Sequence, residues 1–125
     1  MASVRKIAAI LRGKQAERRA VWLLRLKGYA VLARNFRPVK AHGLGEVDIV
    51  ARRGRMLVFI EVKARSDEAA AIFSIRPEQQ ARIARAAAHF LKTRPVYRGF
   101  ATRYDAMVLE AGRFWPRHLI DVWRS

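Results

Sequence analysis

The spacing of apolar residues along the chain predicts two helices. From about residue 14 to residue 27, apolar side chains recur at helical intervals, and Gly28 is placed to end that helix. A second helix is predicted from Pro77 to about Lys92, because proline is favourable at the first position of a helix. The apolar stripe of this helix consists of Ile83, Ala87, Phe90 and Leu91. One side of the second helix is therefore predicted to be buried.

Alternating and β-branched segments predict strands in the rest of the chain. The predicted strands cover residues 29–37, 46–51, 56–64 and 102–110. Residues 52–55 include Gly54 and have the length of a hairpin turn, so the second and third strands should pair antiparallel. Residues 66–75 are predicted to form a loop, and residues 114–123 form a short terminal element whose type is left open. The predicted order is α, β, β, β, α, β and this terminal element.

Acidic residues are concentrated on one face of the predicted hairpin. Because side chains alternate along a strand, Glu46 and Asp48 share one face of the second strand, while Glu61 and Lys63 share one face of the third. A two- or four-residue turn places Asp48 and Glu61 on the same face, with backbones about 5 to 8 Å apart. The opposite face is apolar and is predicted to pack against the core; it carries Val47, Ile49, Ala51, Val58, Ile60, Val62 and Ala64.

The acidic residues of the hairpin stand in a strongly basic chain. The chain has 26 Lys and Arg against 10 Asp and Glu, a formal net charge of +16, and a phosphate polymer is the natural partner for such a surface. An anionic membrane is the rival partner, but it usually requires a basic helix with one strongly apolar face. The chain has no cysteine, which excludes disulfides and thiolate metal sites. Its length and the short apolar run at residues 7–11 predict one domain over residues 1–125 that is soluble, cytoplasmic and not bound to a membrane.

Two carboxylates at this spacing are suited to sharing one hard cation. Mg²⁺ (or Mn²⁺) takes oxygen ligands and retains several waters, so Asp48 and Glu61 are candidate metal ligands. Lys63 is a candidate to orient a water or to offset charge on a transferred phosphoryl group. These roles fit metal-assisted phosphodiester hydrolysis. The residues alone leave open a plainer alternative, a solvated strand face with a weak ion pair between Glu61 and Lys63.

Two segments of the hairpin carry a family resemblance. Residues 45–51 (GEVDIVA) and 57–65 (LVFIEVKAR) resemble the hallmark blocks of the YraN-like predicted endonucleases, which are similar to the restriction-endonuclease-like superfamily and to archaeal Holliday-junction resolvases. The resemblance implies an α/β, restriction-endonuclease-like fold with a central mixed β-sheet flanked by helices. It also implies that Asp48, Glu61 and Lys63 match the catalytic metal site of that superfamily. Val47 stands where the superfamily motif usually has proline.

The resemblance extends beyond the hairpin. In resolvase-like relatives an early helical glutamate completes the metal site, which implies that Glu17 is an auxiliary catalytic and metal-binding residue. An ion pair with Arg18 or Arg25 of the same helix is the alternative for Glu17. Asp105 also matches a family position, and we predict that it forms a structural ion pair with an arginine such as Arg103.

Basic residues predicted to contact the nucleic-acid backbone lie on both helices, at the hairpin turn and at the end of the third strand. Together with Gln80, which matches a family position, they are Lys14, Arg18, Arg52, Arg53, Arg55, Arg65, Arg82, Arg85 and Lys92. Such residues hold the phosphate backbone and do not specify sequence.

The functional hypothesis is a Mg²⁺-dependent endonuclease that hydrolyses phosphodiester bonds of structured or branched DNA with little sequence specificity. Two alternatives remain open at this point. One is a non-catalytic nucleic-acid-binding module on a nuclease-like scaffold, and the other is a basic adaptor associated with a protein or the ribosome. Near the end of the chain, Phe114, Trp115 and Trp123 are candidates for a homodimer surface or for core packing.

Overall fold

A computed structural model describes residues 3–38, 45–65 and 75–124. The helices are α1 (Val4–Leu26) and α2 (Pro77–Lys92), and a short 3₁₀ helix spans Pro95–Tyr97. The strands are β1 (Ala30–Phe36), β2 (Val47–Arg53), β3 (Met56–Arg65), β4 (Ala101–Glu110) and β5 (Arg117–Trp123). The predicted order of elements is confirmed, and the untyped terminal element is a strand. Most of the predicted loop at residues 66–75 lies outside the described residues.

Helix α1 begins at Val4, well before the start near residue 14 that apolar spacing predicts. The Ser3 side chain caps it by accepting a hydrogen bond from the Lys6 N–H. The first turns leave their apolar side chains largely in solvent, and Val4 is 84% exposed. No buried stripe therefore marks this part of the helix in the sequence. Gly28 follows the helix with a positive φ of 88°, as its position predicts.

The five strands form one mixed sheet in the order β1-β2-β3-β4-β5. Neighbouring strands are antiparallel except β3 and β4, which run parallel and are connected through α2. The turn between β2 and β3 has two residues, Gly54 and Arg55, and it sets a register in which Ile49 lies opposite Ile60. A five-stranded mixed sheet flanked by helices confirms the predicted α/β class and is consistent with a restriction-endonuclease-like fold.

Apolar side chains are buried on both faces of the sheet. On the side of α1, Ala20 and Leu24 pack against Ile49, Val58 and Ile60. On the side of α2, the alternate residues of the hairpin are buried instead, together with helix residues; this second cluster includes Val47, Val50, Leu57, Phe59, Ile83 and Phe90. The prediction that one apolar face of the hairpin packs against the core is thus right for most of its residues. Val47 is buried as well, but it packs in the second cluster.

The end of the chain closes the sheet with a partly exposed strand. Trp123 stacks on Tyr104 of β4, with 3.9 Å between ring centroids, so this tryptophan is a packing residue. Phe114 and Trp115, in the turn before β5, are 50% and 43% exposed. Among the described helices, none is long and apolar enough to cross a membrane.

Candidate active site

Asp48 and Glu61 come together where the pairing of β2 with β3 ends. One step beyond the Ile49–Ile60 pair, the register places Asp48 opposite Glu61. The Asp48 carboxylate accepts a hydrogen bond from the Val62 N–H at 2.8 Å, so it satisfies a backbone donor at the end of the ladder. The two side-chain carboxyls also share a hydrogen bond, which requires a proton on one of them. We call Asp48 and Glu61 the carboxyl pair.

Burial and mutual repulsion raise the pKa of both members of the carboxyl pair. The Glu61 side chain is only 10% exposed. Its burial, and then the negative charge of Asp48, raise the pKa of Glu61 to about 8, although Lys63 acts in the opposite direction. Burial likewise raises the pKa of Asp48, against the hydrogen bond from Val62. Near neutral pH the carboxyl pair therefore retains one proton in place of a second negative charge.

Lys63 and Gln79 converge on one oxygen of Glu61. The Lys63 Nζ lies 3.4 Å from Glu61 Oε1, and both side chains are almost fully enclosed. Gln79, in the first turn of α2, donates from Nε2 to the same oxygen at 3.2 Å. These two contacts fix the orientation of the Glu61 carboxyl and hold a positive charge beside it.

A cleft of about 380 Å³ opens beside the carboxyl pair. It is lined by Gly45, Glu46, Asp48, Glu61, Arg76, Glu78, Gln79 and Arg82. Arg76 and Arg82 place positive charge in this cleft, while Glu46 is ion-paired with Arg37 at 3.0 Å. The backbone N–H of Gly45 donates to the Arg82 carbonyl at 3.3 Å, which ties the start of β2 to α2.

Glu17 approaches the carboxyl pair from α1. Burial, and then the negative charge of Asp48, raise the pKa of Glu17. Glu17 Oε1 is buried without a hydrogen-bond partner, and Arg34 of β1 lies 4.0 Å from it. The ion pair that Glu17 makes is thus with β1 and not with Arg18 or Arg25 of its own helix. Within the described residues, no three acidic or histidine side chains are gathered closely enough to form a metal site as they stand.

The basic residues predicted to contact nucleic acid are dispersed over the molecule. Arg82 lines the cleft. The three hairpin arginines lie at the other end of the sheet, where Arg53 and Arg55 cover the rings of Tyr29 and Phe100 and Arg52 donates to the Gly54 carbonyl. The helical residues Lys14, Arg18, Arg85 and Lys92 are exposed, and Arg65 ends β3.

Gln79, which was not among the predicted site residues, contacts the carboxyl pair. Gln80 donates to the Ile75 carbonyl at 3.1 Å and so closes the start of α2. Arg76 and Glu78 were also missed. A signal for all three was available, because a helix that follows a parallel strand begins at the carboxyl end of that strand, where α/β proteins place their sites.

Asp105 is a buried structural residue. Arg103 donates two hydrogen bonds to its carboxylate, each of 2.8 Å, which agrees with the predicted ion pair. His118 lies 2.7 Å from Asp105 Oδ2, and the Asp121 N–H donates at 2.9 Å. Burial alone would raise the pKa of Asp105, but these hydrogen bonds outweigh it and hold the pKa below its ordinary value.

Comparison with known proteins identifies relatives over almost the whole chain. A UPF0102 protein from Paramagnetospirillum magneticum is 50% identical over 117 residues, which cover 94% of this chain and 90% of the relative. UPF0102 proteins from Parvibaculum lavamentivorans and Nitrobacter winogradskyi are 48% and 45% identical, each over 94% of this chain and over 85% and 96% of the relative. The model of the uncharacterised protein family UPF0102 matches residues 16–109, a span that contains Glu17, the carboxyl pair and Lys63. The chain therefore belongs to the uncharacterised protein family UPF0102, the YraN family that its hairpin segments resemble.

Proposed function

We propose that this protein is a Mg²⁺-dependent endonuclease that hydrolyses phosphodiester bonds of structured or branched DNA. The observation that carries the proposal is the carboxyl pair, two enclosed acids in contact beside Lys63 at a cleft in a protein of net charge +16. Burying two like charges together destabilises a fold unless a proton or a cation neutralises them. Strongly raised pKa values in a cleft are typical of functional groups.

The donor chemistry of the site fits Mg²⁺ or Mn²⁺. Carboxylate oxygens are the ligands that these hard cations prefer, and Asp48 and Glu61 would hold the ion from two adjacent strands. Glu17 Oε1 is buried and accepts no hydrogen bond, although Arg34 lies 4.0 Å away, so it would suit an auxiliary metal ligand. When bound, the ion supplies charge neutralisation at phosphate and lowers the pKa of water.

The remaining roles belong to residues of the chain. Lys63 stabilises negative charge that develops on the phosphoryl oxygens and helps to position the attacking water. Gln79 holds the Glu61 carboxyl in place through its hydrogen bond. Arg76 and Arg82 hold the substrate backbone in the cleft, since guanidinium groups match phosphate geometry. Contacts of this kind favour DNA recognition by shape and charge, with little dependence on sequence.

A second candidate is a nucleic-acid-binding module that does not cleave. It is favoured by the absence, within the described part of the chain, of three gathered metal-binding side chains. In this alternative Asp48 and Glu61 form a structural pair that shares a proton, which accounts for their raised pKa values. The basic surface alone then binds nucleic acid. A basic adaptor for a protein or the ribosome would need neither the carboxyl pair nor DNA affinity.

The experiment that separates these functions measures cleavage of linear, flapped and four-way-junction DNA with Mg²⁺, Mn²⁺ or chelator. Cleavage should require metal and should fall by a factor of at least about 100 in Asp48→Asn and Lys63→Ala, as expected when a charge-stabilising group is lost. Asp121→Asn is the matched control, because Asp121 is exposed on β5 and its carboxylate pairs with Arg124. Cleavage that survives Asp48→Asn would refute the assigned site. Salt-sensitive binding without cleavage would identify the binding module.

A further inference from the structure

A second cavity lies on the opposite face of β3 from the carboxyl pair. It has a volume of about 820 Å³ and is lined mainly by apolar atoms, including those of Ala64, Leu109 and Phe114. Ala64 follows Lys63 directly in β3, and successive residues of a strand face opposite sides of the sheet. The cavity and the cleft therefore open on opposite faces of the sheet.

Phe114 lines this cavity and contacts two further exposed aromatic rings. Phe114 stacks on Trp22 of α1, with 6.4 Å between centroids and 22° between planes, and it meets Trp115 edge to face at 4.9 Å. Each of the three side chains is 43% to 50% exposed. Arg19 lies over the Phe114 ring at 4.3 Å and donates to the carbonyls of Arg113 and Phe114. We call Trp22, Phe114 and Trp115 the aromatic surface.

The rim of the cavity is basic. Arg12, Arg19 and Arg113 line it, and the acid among the lining residues, Glu110, is engaged by Arg117 of β5. A ligand complementary to this surface would carry flat apolar groups for the aromatic rings and, close to them, negative charges for the arginines. Unpaired nucleotides have these properties, because each base offers a ring face and each linkage a phosphate. A second copy of the chain fits poorly, since it would bring a further charge of +16 to the same place.

We propose that the aromatic surface and its arginine rim bind an unpaired nucleotide of the DNA substrate. This inference rests on the proposed nuclease function, and it defines the substrate as DNA with a single-stranded segment next to the cleaved backbone. An unpaired base is free to stack on an exposed ring such as Phe114, whereas the bases of a duplex are already stacked on one another. The surface would thus select branched or flapped DNA without reading its sequence.

The test measures binding in chelator, where cleavage does not occur, by fluorescence anisotropy of three labelled probes. The probes are an oligonucleotide of about 16 thymidines, an abasic backbone of the same length and a hairpin duplex. We expect the thymidine strand to bind the unaltered protein about tenfold or more tightly than the abasic strand, and Phe114→Ala to remove that preference. Arg113→Ala should weaken both single strands. Val96→Ala and Arg98→Ala are the controls, because these exposed residues lie near the other end of β4, roughly 30 Å away.

Every outcome bears on the proposal. Equal affinity for thymidine and abasic strands, or an equal loss for both in Phe114→Ala, would show that phosphate contacts alone bind the strand and would overturn it. Loss of self-association in Phe114→Ala, seen by sedimentation, with unchanged oligonucleotide binding would assign the surface to contacts between copies. Base-dependent binding through Phe114 by a protein that cleaves nothing would refute the nuclease function alone. Metal-dependent cleavage with no base-dependent binding would refute this inference alone.

Discussion

We predict that the carboxyl pair makes the stability of the metal-free protein fall as pH rises. The pKa of Glu61 in the folded protein is about 8, against an ordinary value of 4.5. Between these values the folded protein binds a proton that the unfolded chain has released, so raising the pH favours unfolding. The raised pKa values of Asp48 and Glu17 act in the same direction. The lowered pKa of Asp105 gives stability that is lost only in acid, below this window.

The size of the effect follows from the difference between the two pKa values of Glu61. At about 1.4 kcal/mol per pH unit, a rise from 4.5 to about 8 corresponds to at most about 5 kcal/mol of lost stability between pH 5 and pH 9. We expect a measured loss of about 2 to 5 kcal/mol. A small domain has a total stability of about 5 to 15 kcal/mol, so this loss should be easily measured.

The assay is urea unfolding followed by tryptophan fluorescence and circular dichroism from pH 5 to pH 9 in chelator. Glu61→Gln is the decisive variant, because its amide replaces the carboxyl at nearly constant size and does not titrate. Its stability should change much less over the same range and exceed that of the unaltered protein at pH 9. Adding Mg²⁺ at pH 8.5 should restore stability to the unaltered protein, by about 2.7 kcal/mol when the free ion is 100 times its dissociation constant.

Two results would contradict this reasoning. A stability that stays constant or rises between pH 5 and pH 9 would mean that the two carboxyls ionise without cost. An equal fall in Glu61→Gln would place the responsible titration elsewhere. Stabilisation by Mg²⁺ that persists in Glu61→Gln would show that the ion binds at another position.

Two further substitutions test the fold around the site. Asp105→Ala should destabilise the protein by about 3 to 5 kcal/mol, because it leaves the largely enclosed Arg103 without its carboxylate partner. Glu110→Ala should cost about 1 kcal/mol or less. Similar losses in thermal unfolding for the two variants would refute the structural role of Asp105. Gly45→Ala should lower stability by about 1 to 3 kcal/mol, because the added Cβ lies 2.9 Å from Arg82 Cβ and 3.3 Å from its carbonyl carbon. Gly13→Ala is the control: no atom lies within 4 Å of its added Cβ, and it should stabilise α1 by about 0.5 to 1 kcal/mol. An unchanged stability in Gly45→Ala would show that the start of β2 shifts to accommodate the added methyl group.

Local patterns in the sequence determined much of the fold. Period-two alternation and the turn at Gly54 were enough to predict the hairpin of β2 and β3, since pleat geometry and turn length fix which residues face the same side. Pro77 and the apolar stripe of α2 likewise predicted both ends of that helix. The exposed first half of α1 was missed because a helix held by capping and propensity, without a buried stripe, leaves no periodic signal.

The candidate site was predictable only in part. Asp48, Glu61 and Lys63 follow from strand alternation, because their relation depends on one hairpin. The positions of Gln79, Arg76 and Glu17 relative to this site depend on where the two helices lie across the sheet. The spacing of residues within a helix does not specify the placement of that helix.

The sequence by itself determined the family, the α/β class and the shared face of Asp48 and Glu61. Only the tertiary structure decided that this face is enclosed, because α2 covers the same side of the sheet and excludes the water that would otherwise solvate two carboxylates. It also brought Phe114, distant in sequence from Trp22, to the opposite side of the same strand end. Burial and contact between distant segments are properties of the packed sheet, and they turn a pair of acids on a hairpin into a site with raised pKa values.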